Sequence, residues 1–188
     1  MNSITPEKVY DFWFAESGPE RWFAKDPSFD AAIRFRFASA IAAARESRLD
    51  HWAAAAKSCL SLILVIDQFS RNVFRLSPLA WSADHRARAL TVDALERGYD
   101  GGMTTSERKF LYMPLMHSED LADQERCVEL FAALLAEDPE GEARSHESAI
   151  RHRDIVTRFG RFPHRNAVLG RPSSAEEIAF LQEPNSSF

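Results

Sequence analysis

Four times this chain sets a serine, threonine or aspartate directly before a proline: Thr5-Pro6, Asp26-Pro27, Ser77-Pro78 and Asp138-Pro139. Proline lacks the amide hydrogen that a helix's first turn leaves unpaired anyway. The short polar side chain ahead of it accepts a bond from the next free amide. Each pair therefore reads as a helix start. Thr104 with Glu107, and Ser173 with Glu176, have capping-box spacing. Ser118 followed by Glu119 and Asp120 reads as an N-cap with acids in the first turn. Gly98 and Gly160 stand where C-terminal caps are expected.

Joining starts to stops predicts about eight helices, over 5–15, 27–47, 50–71, 78–97, 104–117, 119–137, 139–159 and 173–183. Composition agrees: alanine occurs 27 times, against 20 for valine, isoleucine and threonine together, so helix formers outweigh strand formers. Over 119–137 the stripe Leu121, Val128, Phe131, Leu134 and Leu135 predicts a core-facing side, with Asp123, Glu125 and Glu129 facing away. Residues 53–66 are apolar nearly all round and read as a central buried helix. A strand at Leu62–Ile66 is the rival, but no second strand-like run exists to pair with it. The expected fold is all-α, an antiparallel stack of αα-hairpins with short connections. No Gly/Ser or Pro-rich linker divides the chain, so residues 1–188 read as one domain. Trp13, Phe14, Trp22 and Phe23 are expected in the core or in the wall of a groove.

The N-terminus has neither a basic nor an apolar leader region, and the apolar run Leu60–Ile66 is far short of the ~20 residues that span a bilayer. A cytoplasmic protein without membrane contact is the expectation. Cys59 and Cys127 form no CxxC pair and are expected to be reduced and buried. Nucleotide-binding glycine motifs, GxSxG, HExxH and Glu-x-x-His are all absent, so no cofactor is implied.

Three dense polar patches remain. The first is Asp67-Gln68-Phe69-Ser70-Arg71-Asn72, where Asp67 and Arg71 share a helix face at i,i+4. The second is His117-Ser118-Glu119-Asp120. The third is His152-Arg153 with Arg158-Phe159-Gly160-Arg161-Phe162-Pro163-His164-Arg165-Asn166. In an antiparallel stack the third, fifth and seventh helices run the same way, which predicts that the patches at their C-terminal ends share one rim. Residues 151–171 hold six arginines (151, 153, 158, 161, 165 and 171), no lysine and one acid, Asp154, a balance of +5 in a chain of net charge −5. Arginine forks suit carboxylates and phosphates. Their partners could be internal, namely Asp67, Glu119 and Asp120, or an external anion. Metal binding by His117, Glu119, Asp120, His152 and His164 is disfavoured by the surrounding arginines. Nucleic acid is disfavoured by the confined basic segment.

The sequence also resembles a known family. The resemblance rests on Asp67–Asn72, on Met113-Pro114-Leu115-Met116-His117-Ser118-Glu119-Asp120, and on His152-Arg153-Asp154 running into Arg158–Asn166, with weaker matches at Val9–Phe14 and Trp22–Asp30. Together they resemble the bacterial domain of unknown function 924 family. The resemblance implies an all-helical, tetratricopeptide-like right-handed superhelix and no particular activity.

Two functional readings follow. The chain is a binding module that captures a small anionic molecule or an acidic peptide through Asp67, Gln68, Arg71, Asn72, His117, Glu119, Asp120, His152, Arg158, Arg161, His164 and Arg165. Alternatively it is an enzyme, with His117 or His164 as general acid or base beside Glu119 and the arginines holding an anionic substrate for hydrolysis or group transfer. The sequence leaves the oligomeric state open.

Overall fold

The computed structural model describes residues 4–188, so the leader reading of the N-terminus falls partly outside the described residues. Among those residues every regular element is helical and no strand is present. They form two compact units. The first runs to Arg75 and resumes over Leu79–Pro114, and the second comprises Leu76–Pro78 and Leu115–Phe188. No described helix is long and apolar enough to cross a membrane.

The first unit contains α1 (Pro6–Asp11), α2 (Pro19–Trp22), α3 (Pro27–Arg45), α4 (Ala56–Leu64), α5 (Ser70–Val73), α6 (Asp84–Glu96) and most of α7 (Thr105–Met116). Its centre is the apolar segment recognised in the sequence: every residue from Cys59 to Ser70 is buried. Asp26 caps α3 by accepting from the amides of Ser28 and Phe29, and Thr104 and Glu107 form the expected reciprocal cap on α7. The helix expected over 50–71 is broken at Ala55, whose extended backbone separates a 3₁₀ turn at Asp50–Ala54 from α4. The helix expected over 78–97 begins at Asp84, after a short 3₁₀ turn at Pro78–Ala80.

Two wide π-helical turns organise this unit, Phe12–Ser17 after α1 and Val65–Phe69 between α4 and α5. In each, a serine five residues on donates its hydroxyl to the carbonyl at the head of the turn, Ser17 to Phe12 and Ser70 to Val65. The hydroxyl thus bonds the same carbonyl that the i→i+5 pairing of a π-helical turn directs the serine's own amide toward. The turns bring Phe12 and Trp13 against Phe69, with ring centroids 5.9 and 5.6 Å apart. Phe29, Phe37 and Phe110 complete the aromatic core. Trp13 and Trp22 are buried there, and the Trp22 indole N–H donates to the Trp13 carbonyl at 2.9 Å. Phe14 is half-buried. Phe23 departs from expectation: it is 62% exposed, because α2 ends at Trp22 and the chain turns away before α3.

In the second unit, α8 (Leu121–Glu137) and α9 (Pro139–Phe159) form a hairpin joined through Asp138 alone. The Asp138 carboxylate caps α9 through the Gly141 amide. Gly160 ends α9 with φ +67°, a left-handed conformation that glycine adopts without a Cβ penalty. Beyond it, Phe162 packs with Ile155, Val156 and Phe180, and α10 (Asn166–Leu169) and α11 (Ala175–Phe180) follow. Two cap assignments shift by one or two residues. The α11 capping box is Ser174 with Glu177, since the Ser173 hydroxyl accepts from Asn166 instead. The α8 cap is Asp120, which leaves Glu119 outside the helix.

The buried face of α8 is also rotated from the expected stripe. Asp123, Gln124, Cys127, Phe131 and Leu134 point inward, while Leu121 is exposed. Hydrogen bonding explains the rotation: Asp123 accepts from the Ser118 hydroxyl at 2.6 Å, and Gln124 directs its amide at the carbonyls of Leu115, Met116 and Ser118.

Each unit holds one cysteine, Cys59 in α4 and Cys127 in α8, both free and buried. Burial pushes the Cys59 thiol up to about 11 and that of Cys127 still higher.

Phe69 touches both π-helical turns and lies fully inside the core. Phe69→Ala should therefore cost about 3–5 kcal/mol through lost burial and the cavity left behind. Urea unfolding followed by tryptophan fluorescence checks this, since all four tryptophans lie in the first unit.

Candidate functional site

The first polar patch sits in the first unit, on the second π-helical turn and α5. Asp67 is 1% exposed and meets the Arg71 guanidinium at 2.8 Å. Arg71 also forks onto both carboxylate oxygens of Asp84, at 3.1 and 2.9 Å. Burial works against the Arg71 charge, and the two carboxylates more than offset it, so its pKa is raised. Gln68 donates to Asp67 and to the Met113 sulfur. Asn72 turns to Asp30, which Arg75 also holds, at the edge of an open cleft of about 540 Å³ beside α3. Asp67, Gln68 and Arg71 thus form an internal network, with Asn72 on its outer side.

The second and third patches meet in the second unit. The Glu119 carboxylate accepts from the Phe162 amide at 2.8 Å and from both terminal nitrogens of Arg171, at 2.6 and 2.9 Å. This contact holds the connection after α9 against the start of α8. Arg165 reaches the His117 carbonyl at 3.1 Å and lies over the Phe162 ring, 4.4 Å from its centroid. Around these two sit three imidazoles. His117 and His152 have ring centroids 6.4 Å apart, His152 meets Phe162 edge-on at 5.5 Å, and Phe162 faces His164 at 5.7 Å. Phe188 stacks on His152 at 3.6 Å.

The electrostatics favour neutral rings at His152 and His164. Burial comes first in depressing the His152 pKa well below the ordinary value, assisted by His117, Arg165 and His164, while a bond to the Ser148 carbonyl acts in the opposite sense. That bond, 2.7 Å from Nδ1, requires the proton on Nδ1 and leaves Nε2 as acceptor. His164 falls to about 4 through burial and Arg165, with Glu119 opposing. Its Nδ1 is buried and has no hydrogen-bond partner among the described residues. For Glu119, burial pushes the carboxyl up, and the Arg171 fork and Phe162 amide more than offset it, leaving a net lowering. No group of three or more His, Cys, Asp or Glu among the described residues could hold a metal ion.

The remaining candidate residues serve local structure. Asp120 is the α8 cap. Arg158 pairs with Glu176 at the surface. Arg161 forks onto Glu177, which this pairing holds down at about 2. The arginine cluster is thus largely engaged by carboxylates of this chain, Glu119, Glu176 and Glu177, of which only Glu119 is among the acids named from the sequence. Three contributors were not singled out in the sequence. Arg171 is one of six arginines with no motif of its own, Gln124 interrupts the apolar stripe of α8, and Phe188 lies in no periodic segment.

These observations describe an all-helical protein of two compact units whose second unit gathers imidazoles, an arginine and aromatic rings. The chain belongs to the family described as bacterial protein of unknown function (DUF924), which it matches over residues 9–185. It is similar to the solved structure of a protein of unknown function from Agrobacterium tumefaciens, with 40% identity and a TM-score of 0.87 over 94% of this chain and 96% of that one. No curated protein matches it.

Two outcomes test this geometry. Arg171→Ala strands a half-buried carboxylate and should cost about 1–3 kcal/mol, whereas exposed Arg158→Ala should cost about 0–1 kcal/mol; urea unfolding followed by helical circular dichroism separates them. The lowered histidines add a pH dependence. The unfolded chain binds protons near the ordinary 6.5 and the folded His164 only near 4. Their contribution is therefore complete above about pH 6.5 and declines as pH falls through that window, by at most about 1.4 kcal/mol per pH unit per histidine. His164→Gln should show a shallower loss between pH 7 and pH 4.5.

Proposed function

We propose that the second unit is a binding module that captures a small anionic molecule, or the acidic end of a peptide, at the cluster of His117, His152, His164 and Arg165. The observation that carries this reading is the buried, unpartnered Nδ1 of His164. Leaving such an atom without a partner costs about 1–3 kcal/mol, and a bound ligand atom relieves that cost. The local charge supports an anion: Arg165 and Arg171 act on His164 from one side of the balance and Glu119 alone from the other. With its proton on the unpartnered Nδ1, a neutral His164 donates to an anion without needing a counter-charge of its own.

A second reading is favoured by one specific feature. His152 has its Nδ1 proton fixed on the Ser148 carbonyl, which orients Nε2 as a base. Glu119, already engaged by Arg171 and the Phe162 amide, is poorly placed to serve as an acid. On this reading the anion is a substrate, and turnover of p-nitrophenyl acetate or phosphate would fall to the background rate in His152→Asn.

The binding reading is tested by titrating inorganic phosphate and acetate at pH 7.5 while following the ring resonances of the six histidines. His117, His152 and His164 should shift saturably, and His51 and His85 should not. Arg165→Met should abolish the shifts. Equal, unsaturable movement of all six rings would overturn the reading.

A further inference from the structure

Phe188 occupies the imidazole cluster in the manner of a bound aromatic group. Its ring lies nearly parallel to His152, at 3.6 Å and 19°. It meets Phe162 and His164 edge-on, at 6.4 Å and 85° and at 5.8 Å and 77°. The Arg151 guanidinium sits over the same ring, 5.1 Å from its centroid. One face, two edges and a cation thus surround a single six-membered ring, the geometry that aromatic quadrupoles favour.

The strap that carries this ring is lightly held. Residues 181–188, after α11, run through turns and irregular backbone. Arg151 donates to the Asn185 carbonyl at 2.8 Å, and the Ser186 hydroxyl closes a local turn onto Leu181. Asn185 has φ +62°, a left-handed conformation that asparagine adopts more readily than most residues with a Cβ and that turns the strap back toward α9. Phe188 itself remains 45% exposed. A half-exposed ring in a shaped cage, on a strap tied by the Arg151–Asn185 and Ser186–Leu181 bonds, is suited to exchange.

We infer that Phe188 is an internal stand-in for ligand, that the site takes a planar aromatic ring bearing an anionic group, and that such a ligand enters by displacing the strap. The inference rests on the anion-capture reading above and adds the ring. His152 and Phe162 supply the aromatic contacts, and Arg165 and the His164 N–H meet the charge. While Phe188 is seated it competes with the ligand, so the apparent affinity is reduced by the fraction of molecules whose strap is closed.

The experiment uses 3-phenylpropionate, acetate and benzyl alcohol as probes of the full chain at pH 7.5, read by the His152 and His164 ring resonances. Phe188→Ala should tighten 3-phenylpropionate about tenfold. Phe188→Leu, which keeps apolar bulk without the stacking ring, should give an intermediate gain and guards against a folding artefact in the alanine variant. Acetate should bind more weakly than 3-phenylpropionate to both variants. If acetate and 3-phenylpropionate bind equally and neither responds to Phe188, anion capture stands and the aromatic inference falls. If benzyl alcohol binds as well as 3-phenylpropionate, the anionic requirement falls, and the inferred ligand class with it. If no probe shifts either ring in any variant, both readings fall.

Discussion

Glu119 is the residue on which the second unit's cluster hangs. It lies just ahead of α8, and its carboxylate is met by the backbone of Phe162 and by the fork of Arg171. Phe162, His164 and Arg165 all belong to the connection thereby held in place. A half-buried carboxylate needs several donors to remain charged, and a loop amide needs an acceptor once it leaves water. Each satisfies the other here, so one side chain determines where a dozen loop residues lie. Gln124 does the complementary task for the preceding segment, gathering carbonyls around the end of α7 so that His117 is presented from a fixed backbone.

The first unit is organised differently. Its polar network is built inside a helix rather than on a loop, and the device is the π-helical turn. The extra residue in Val65–Phe69 widens the helix where Asp67 and Gln68 go inward with Phe69. The matching turn at Phe12–Ser17 supplies the aromatic surface that Phe69 packs on. π-helical turns recur where a chain must place side chains off the regular helical period. In this unit both serve the core, and the buried Asp67 is stabilised by Arg71.

Much of the helical framework could be read from residue order, because caps are short-range chemistry. Asp26, Asp138 and the Thr104–Glu107 pair act where their spacing indicated. The errors arose where a longer-range partner competed. Ser173 is diverted by Asn166, so Ser174 becomes the cap. Asp123, expected on the outer face of α8, is drawn inward by Ser118. The arginine cluster was legible as composition, but which carboxylates would meet it depended on tertiary placement: Glu176 and Glu177 are distant in sequence from Arg158 and Arg161 and carry no spacing signal. Phe188 shows the same limit, since nothing in the order of residues ties it to His152.

The two cysteines give the molecule an internal pair of clocks. One fully buried thiol lies in each unit, and burial holds both thiols protonated at neutral pH. An alkylating reagent attacks thiolate and needs access, so neither cysteine reacts until its own surroundings open. Modification of Cys59 therefore records the opening of the first unit, and modification of Cys127 that of the second. A single mass measurement over time would tell whether the halves of this fold breathe together or apart.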